Sequence, residues 1–232
     1  MILWIIFGVT MIASLIVHWQ LKSKFNRYSK IGLRANLTGA EIAEMMLKDH
    51  KIYDVQITCV EGHLTDHYNP AERTVNLSPQ VFHGNSAASA AVAAHECGHA
   101  VQHATAYSML EFRSAMVPLQ SISGWFLNIL FIVAFFGGYF LYSFIPITTI
   151  LLLIIGAYGV ITLFSFVTLP VEFDASKRAL VWMTDRGVVT REEHAMAKDA
   201  LNTAAMTYVI AALGALATLL YYVASFMGVS RD

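Results

Sequence analysis

Charge is scarce in this sequence. Only 13% of its 232 residues are Asp, Glu, Lys or Arg, about half the share found in an ordinary soluble domain. Hydrophobic residues make up 56% and the mean hydropathy is +0.56, so lipid is expected to be part of the solvent. The few charges nearly cancel, 15 basic against 16 acidic. No arginine-rich run or basic stripe of the kind that neutralises phosphates appears, and no nucleic-acid partner is expected. Two cysteines, Cys59 and Cys97, are too few for a disulfide framework. Internal repeats and low-complexity linkers are also missing, and the length suits one membrane-embedded domain.

What is there is long apolar runs. Residues 1–21, MILWIIFGVTMIASLIVHWQL, carry no acidic or basic residue besides His18 and reach the ~30 Å of a hydrocarbon core at ~1.5 Å per residue. A cleaved signal peptide would want a basic start, a shorter apolar core and a small-residue cleavage site, so an uncleaved anchor is expected. From Ser114 to Val171 there is no Asp, Glu, Lys or Arg. A single helix of that length would extend about 87 Å, nearly three bilayers, and must fold back; YSFIP at Tyr142–Pro146 is the natural turn. A fourth span is expected near Ala204–Met227. Lys22, Lys24, Arg27, Lys30 and Arg34 follow the first span, while Lys177, Arg178, Arg186, Arg191 and Lys198 lie between the third and fourth. The positive-inside rule places both segments in the cytoplasm and both termini outside.

Between the first two spans lies enough chain for a small α+β insert. Thr38 to Glu41 matches a capping box that opens a helix, and Thr190 to Glu193 matches a second. Val55–Val60 (VQITCV) alternates as a half-buried strand, and Thr74–Ser78 (TVNLS) reads as another, expected to be a free sheet edge able to pair with an extended peptide. Asn85 or Ser86 can cap a long helix through SAASAAVAAHECGHAVQHA.

That helix carries the chemistry. His95 and His99 are ~40° apart around an ideal helix and ~6 Å apart along it, so both imidazoles can reach one ion. Glu96, rotated ~100° from His95, can hold an attacking water without binding the metal. This is the H-E-x-x-H arrangement in which two histidines bind Zn²⁺ and the glutamate is the general base. The motif is short and occurs by chance, but an alanine-rich helix gives unpaired charge no inexpensive structural role. Cys97 points away and reads as a packing residue. His103 is too far along the helix to bind the same ion and reads as polar lining. A third ligand must come from elsewhere, with Glu111, Glu172, Asp174 and His194 as candidates. Glu172 and Asp174 could simply mark the membrane interface. Ala175, Ser176 and Ala179 would let their helix approach the HECGH helix closely, which favours Glu172. In GHLTDHY, His67 and Tyr68 are candidate donors to an oxyanion; the plainer alternative is a polar loop bonding its own backbone.

The stretches GHLTDHYNP, LSPQVFHGNSAASAAVAAHECGHAVQH and LPVEFDASKRAL resemble the YugP-like neutral zinc metallopeptidases of bacterial membranes, nearly end to end. The resemblance implies a membrane zinc peptidase with His95 and His99 as ligands, Glu96 as catalytic base and Glu172 as third ligand, a gluzincin-like set. The more distant HtpX and CAAX-processing proteases are similar in placing two spans between the motif helix and the ligand glutamate. They usually carry an aspartate four residues after that glutamate, where this chain has Ser176.

The expected fold is predominantly α, a four-helix transmembrane bundle with a small cytoplasmic α+β zincin-like catalytic insert. Residues 1–21 form the anchor, 22–113 the cytoplasmic catalytic part, 114–171 the second and third spans, 172–203 a cytoplasmic segment with the third ligand, and 204–228 the fourth span. The expected function is a zinc metalloendopeptidase of the cell membrane cleaving extended or membrane-proximal protein segments at the cytoplasmic face. Its partners are a protein or peptide substrate and the bilayer; a homo-oligomer or membrane-protein partner stays open. One rival is a non-proteolytic scaffold clamped by zinc, to which Glu96 would be superfluous. Another is a transporter, which would want ionisable residues inside its spans. Topology is checked by cysteine labelling of intact cells with Cys59 and Cys97 replaced. Probes near residue 1, Phe144 and Asp232 are expected to react, and probes at Asn69 and Arg186 to stay unlabelled. Labelling at Asn69 would reverse the orientation.

Overall fold

The computed structural model describes residues 1–229, the side chains of residues 138–142 and 229 excepted; Asp232, expected outside the cell, lies beyond the described residues. Among the described residues, four helices are long and apolar enough to cross a membrane: α1 (Ile2–Tyr28), α5 (Ser108–Phe144), α6 (Ile147–Asp185) and α7 (Arg191–Val229). The expected turn between the second and third falls at Ile145–Pro146. Between α1 and α5 the order is α2 (Gly39–Asp49), β1 (Gln56–Cys59), β2 (His67–Asn69), β3 (Thr74–Leu77), α3 (Pro79–Phe82) and α4 (Ala87–Ala104). The chain forms two compact units.

One unit comprises Met1–Leu15, Phe112–Leu169 and the chain from Tyr208 on. Leu127, Ile150, Ile154 and Tyr222 are its buried centre, with the Tyr158 ring stacked on Tyr222 at 5.5 Å. Its outward side chains are equally apolar: Trp4 is 77% and Phe135 83% exposed. A large apolar outer face on helices whose backbone bonds are satisfied internally is stable against hydrocarbon rather than water.

The other unit comprises Ile16–Glu111 and Pro170–Thr207. Helix α1 does not stop where its apolar run stops at residue 21. Its last turns bury Phe25, and they set Lys24 Nζ 2.8 Å and Tyr28 Oη 2.7 Å from the Asp199 carboxylate of α7. Both capping boxes form as the sequence suggests. Glu41 N bonds Thr38 Oγ1 while the Glu41 carboxylate accepts from Thr38 N, and Thr190 and Glu193 reciprocate in the same way. Ser86 caps α4 by accepting from Ser89 N.

The sheet corrects the edge-strand expectation. Its order is β1-β3-β2, β3 being parallel to β1 and antiparallel to β2. TVNLS is therefore the central strand. Val75 and Leu77 are fully buried, and Asn76 is 7% exposed because its side chain joins both neighbours. Its Oδ1 accepts from Thr58 of β1 at 2.6 Å, and its amide nitrogen lies 3.2 Å from His67 Nε2 of β2. A polar residue in a short strand reads as an outward position; here it is an internal hydrogen-bonding hub. Part of the apparent loop GHLTDHY is the edge strand β2, too short and polar to show a period of two.

Helix α4 is the centre of this unit. Ala90, Ala91, Ala93, Ala94 and Cys97 are buried, and Ile42, Ala43 and Met46 of α2 share their core. Cys97 packs with its sulfur 3.6 Å from the Ala43 carbonyl, and burial pushes its thiol well above the ordinary range. Such small side chains let neighbouring backbones come close. A Cβ on Gly98 would lie 2.5 Å from the carbonyl oxygen of Ala175 on α6. Gly98→Ala should therefore force α4 and α6 apart at a cost of about 1–3 kcal/mol, outweighing the ~1 kcal/mol that alanine adds to helix propensity. Gly156→Ala, where nothing lies within 4 Å of the added carbon, is the control. Melting in detergent is expected to drop for the first and not the second; equal midpoints would contradict the close contact.

Candidate metal centre

Small side chains at the α4–α6 contact bring three ligating side chains together. His95, His99 and Glu172 each present one donor atom, all within 4.8 Å of one another. Glu172 Oε2 is 3.4 Å from His95 Nε2 and 3.6 Å from His99 Nε2. Two ligands of a tetrahedral zinc with bonds of ~2.1 Å are about 3.4 Å apart, so the carboxylate already stands at coordination spacing from each imidazole. Of the four third-ligand candidates, Glu172 is the one that joins the histidines. Asp174 instead faces Gln102 and Arg178, and His194 lines a separate cavity of about 430 Å³ with Ser176 and Lys198.

Both imidazoles are held by their other nitrogen. His95 Nδ1 lies 3.1 Å from Ser176 Oγ, and His99 Nδ1 lies 3.0 Å from Gln102 Oε1. With Nδ1–H donated in each case, the two Nε2 lone pairs and a carboxylate oxygen converge on one point. Three lone pairs repel unless a cation lies between them, and the N₂O donor set suits zinc. Burial by itself disfavours the His99 imidazolium, but the adjoining Glu172 outweighs it and raises the His99 pKa. A proton is thus one cation the cluster can take, and a metal ion is the other.

Glu96 is 8% exposed. Burial holds its carboxyl above the ordinary carboxylate range, with the negative charges of Glu172 and Asp66 acting the same way and the two histidines opposing them. Asp66 is the residue of GHLTDHY whose charge reaches Glu96. It accepts from Ser78 N at 2.7 Å and from Ser78 Oγ, and burial raises its pKa.

The structure does not bring the other two expected residues to the ligands. His67 is exposed, with Nδ1 2.8 Å from the Thr65 carbonyl and Nε2 directed at Asn76. Tyr68 Oη lies 2.8 Å from His103 Nδ1, and both line a cavity of about 310 Å³ with Asp54 and Arg73. His103 is thus polar lining, as its place on the helix suggests. Sequence reasoning missed Gln102. It follows His99 by three residues, one turn along the same helix face, and that was the available signal. At Ser176, where the distant proteases carry an aspartate, a hydroxyl makes the contact to His95.

The family model described as "Putative neutral zinc metallopeptidase" matches residues 3–227. The Bacillus subtilis (strain 168) protein named "Putative membrane protease YugP" is 37% identical over 214 residues, covering 92% of this chain and 91% of that protein. No solved structure matches. A match over nearly the whole length, including the helix that brings Glu172 to the histidines, makes this chain a member of the neutral zinc metallopeptidase family.

Proposed function

We propose that the protein is an integral-membrane metalloendopeptidase whose zinc ligands are His95, His99 and Glu172 and whose general base is Glu96. The observation that carries this reading is the convergence of the three donor atoms beside a buried carboxylate that is not one of them. A site serving only to clamp helices needs no such fourth group.

Zinc, when bound, supplies Lewis acidity, polarising the substrate carbonyl and lowering the pKa of water toward about 7. The chain's own residues do the rest. Ser176 and Gln102 hold the imidazoles with Nε2 toward the centre. Glu96 takes a proton from the water that adds to the peptide carbonyl carbon, and as the C–N bond breaks it passes that proton to the departing amine nitrogen. Burial of Glu96 suits it to both roles, because a carboxyl above its ordinary range accepts a proton and holds it for donation. Water is consumed, and one acid and one amine are formed.

The basic residues after the first span and between the third and fourth support a cytoplasmic active site. Glu172 directly follows the uncharged run that ends at Val171, which supports substrates that are membrane-proximal protein segments. About one zinc per chain is expected, lost on His95→Ala or His99→Ala and weakened by Glu172→Ala. Glu96→Gln is expected to keep the metal and lose about 100-fold or more in turnover. Metal analysis and peptide hydrolysis on the purified variants decide it. Full zinc in Glu172→Ala would move the third ligand elsewhere, and an active Glu96→Gln would remove the general base.

A further inference from the structure

Gln102 is the one large polar side chain that is completely buried, 0% exposed, among the described residues of the site. A primary amide in such a place must place its oxygen and both N–H groups. Gln102 does so across two helices. Its Nε2 donates to the backbone carbonyl of Val171 at 2.8 Å and to Asp174 Oδ2 at 2.8 Å, and its Oε1 faces His99 Nδ1 at 3.0 Å. Asp174 Oδ2 is in turn held by Arg178 Nε at 2.5 Å.

These contacts fix which way round the amide sits. Val171 O and Asp174 Oδ2 are both acceptors, so only the NH₂ end can face them. The oxygen must then face His99, and an oxygen there demands that His99 carry its proton on Nδ1. The Nε2 lone pair is left toward Glu172. Were the amide reversed, its NH₂ would require a lone pair on Nδ1 and put the His99 proton on Nε2. That proton would be donated to Glu172, giving a hydrogen-bonded pair that does not accept a metal. The same amide also ties α4 to the carbonyl of the residue before Glu172, so one side chain sets the tautomer of one ligand and the position of another.

We infer that Gln102 is the positioning residue of the metal centre, held in its metal-ready orientation by Asp174 and Arg178. This rests on the reading of His95, His99 and Glu172 as the zinc ligands. The arrangement differs from a carboxylate behind a histidine ligand, because here the carboxylate acts through an amide. A neutral acceptor at 174 should therefore serve: Asp174→Asn still offers an oxygen to Gln102, whereas Asp174→Ala offers nothing.

The test measures zinc affinity of the full chain in detergent by competition with a chromophoric chelator, together with the visible absorption of the Co²⁺-substituted protein. Gln102→Leu is expected to weaken zinc by about 10- to 100-fold and to alter the Co²⁺ bands. Asp174→Ala should also weaken zinc, Asp174→Asn should restore it, and Asp174→Ala should add nothing in the Gln102→Leu background. Wild-type affinity and an unchanged Co²⁺ spectrum in Gln102→Leu would overturn the inference. So would an additive effect of Asp174→Ala on Gln102→Leu, since groups acting through one path do not add. If Gln102→Leu does not fold, the contrast between Asp174→Ala and Asp174→Asn decides alone, equal affinities counting against it. His99→Ala separates the two levels. Zinc retained there overturns the ligand reading, whereas zinc lost there but kept in Gln102→Leu overturns only the role of Gln102.

Discussion

The site depends on how closely α4 and α6 can approach. Histidine side chains are short, and a zinc site tolerates only a few tenths of an ångström in its donor positions. Glu172 must therefore be carried to within 3.4–3.6 Å of two imidazoles on another helix. Large side chains at the crossing would hold the helices 8–10 Å or more apart. Here the contact is Gly98 against the Ala175 backbone, with Ala94, Ala175 and Ala179 fully buried. The alanine richness of α4 is the condition for a metal centre shared between helices, and its cost in apolar burial falls on neighbours. Ile42, Met46, Val75 and Leu77 supply the bulk that α4 lacks, each worth about 1.5–3 kcal/mol on burial.

Several polar groups inside this unit are satisfied by joining two elements. Asn76 stitches β3 to both neighbouring strands, Asp199 joins α7 to α1, and Gln102 joins α4 to α6. A buried polar group without partners costs about 1–3 kcal/mol. Such groups are kept where they define a unique arrangement, and a metal centre requires one. The Glu96 carboxyl stands apart, because burial raises its pKa instead of pairing neutralising it, an environment that suits the general base proposed for it.

The resemblance found in the motifs and the match to the family rest on the same stretches, yet they inform different levels. The family match places the chain among the neutral zinc metallopeptidases and beside a relative named a membrane protease. The proposed roles rest on geometry, in which Glu172 meets the histidines, Asp174 faces Gln102, and Ser176 stands behind His95.

Sequence alone determined whatever depends on local period or composition. Lipid as solvent, four spans, both capping boxes and the pairing of His95 with His99 all follow from neighbours within a few residues, since helix geometry fixes the relation of i to i+4. It also singled out Glu172 through the small residues beside it. Tertiary structure decided what depends on contacts between distant segments. TVNLS is interior because β1 and β2 both pair with β3, and three residues of β2 carry too little pattern to announce that. His67 and Tyr68 are singled out by residue type, but they turn to Asn76 and His103. Gln102 shows in the sequence only as a polar residue one turn after His99, and its role is set when Val171 and Asp174 arrive from α6, because a side chain's partner across space leaves no period in the chain.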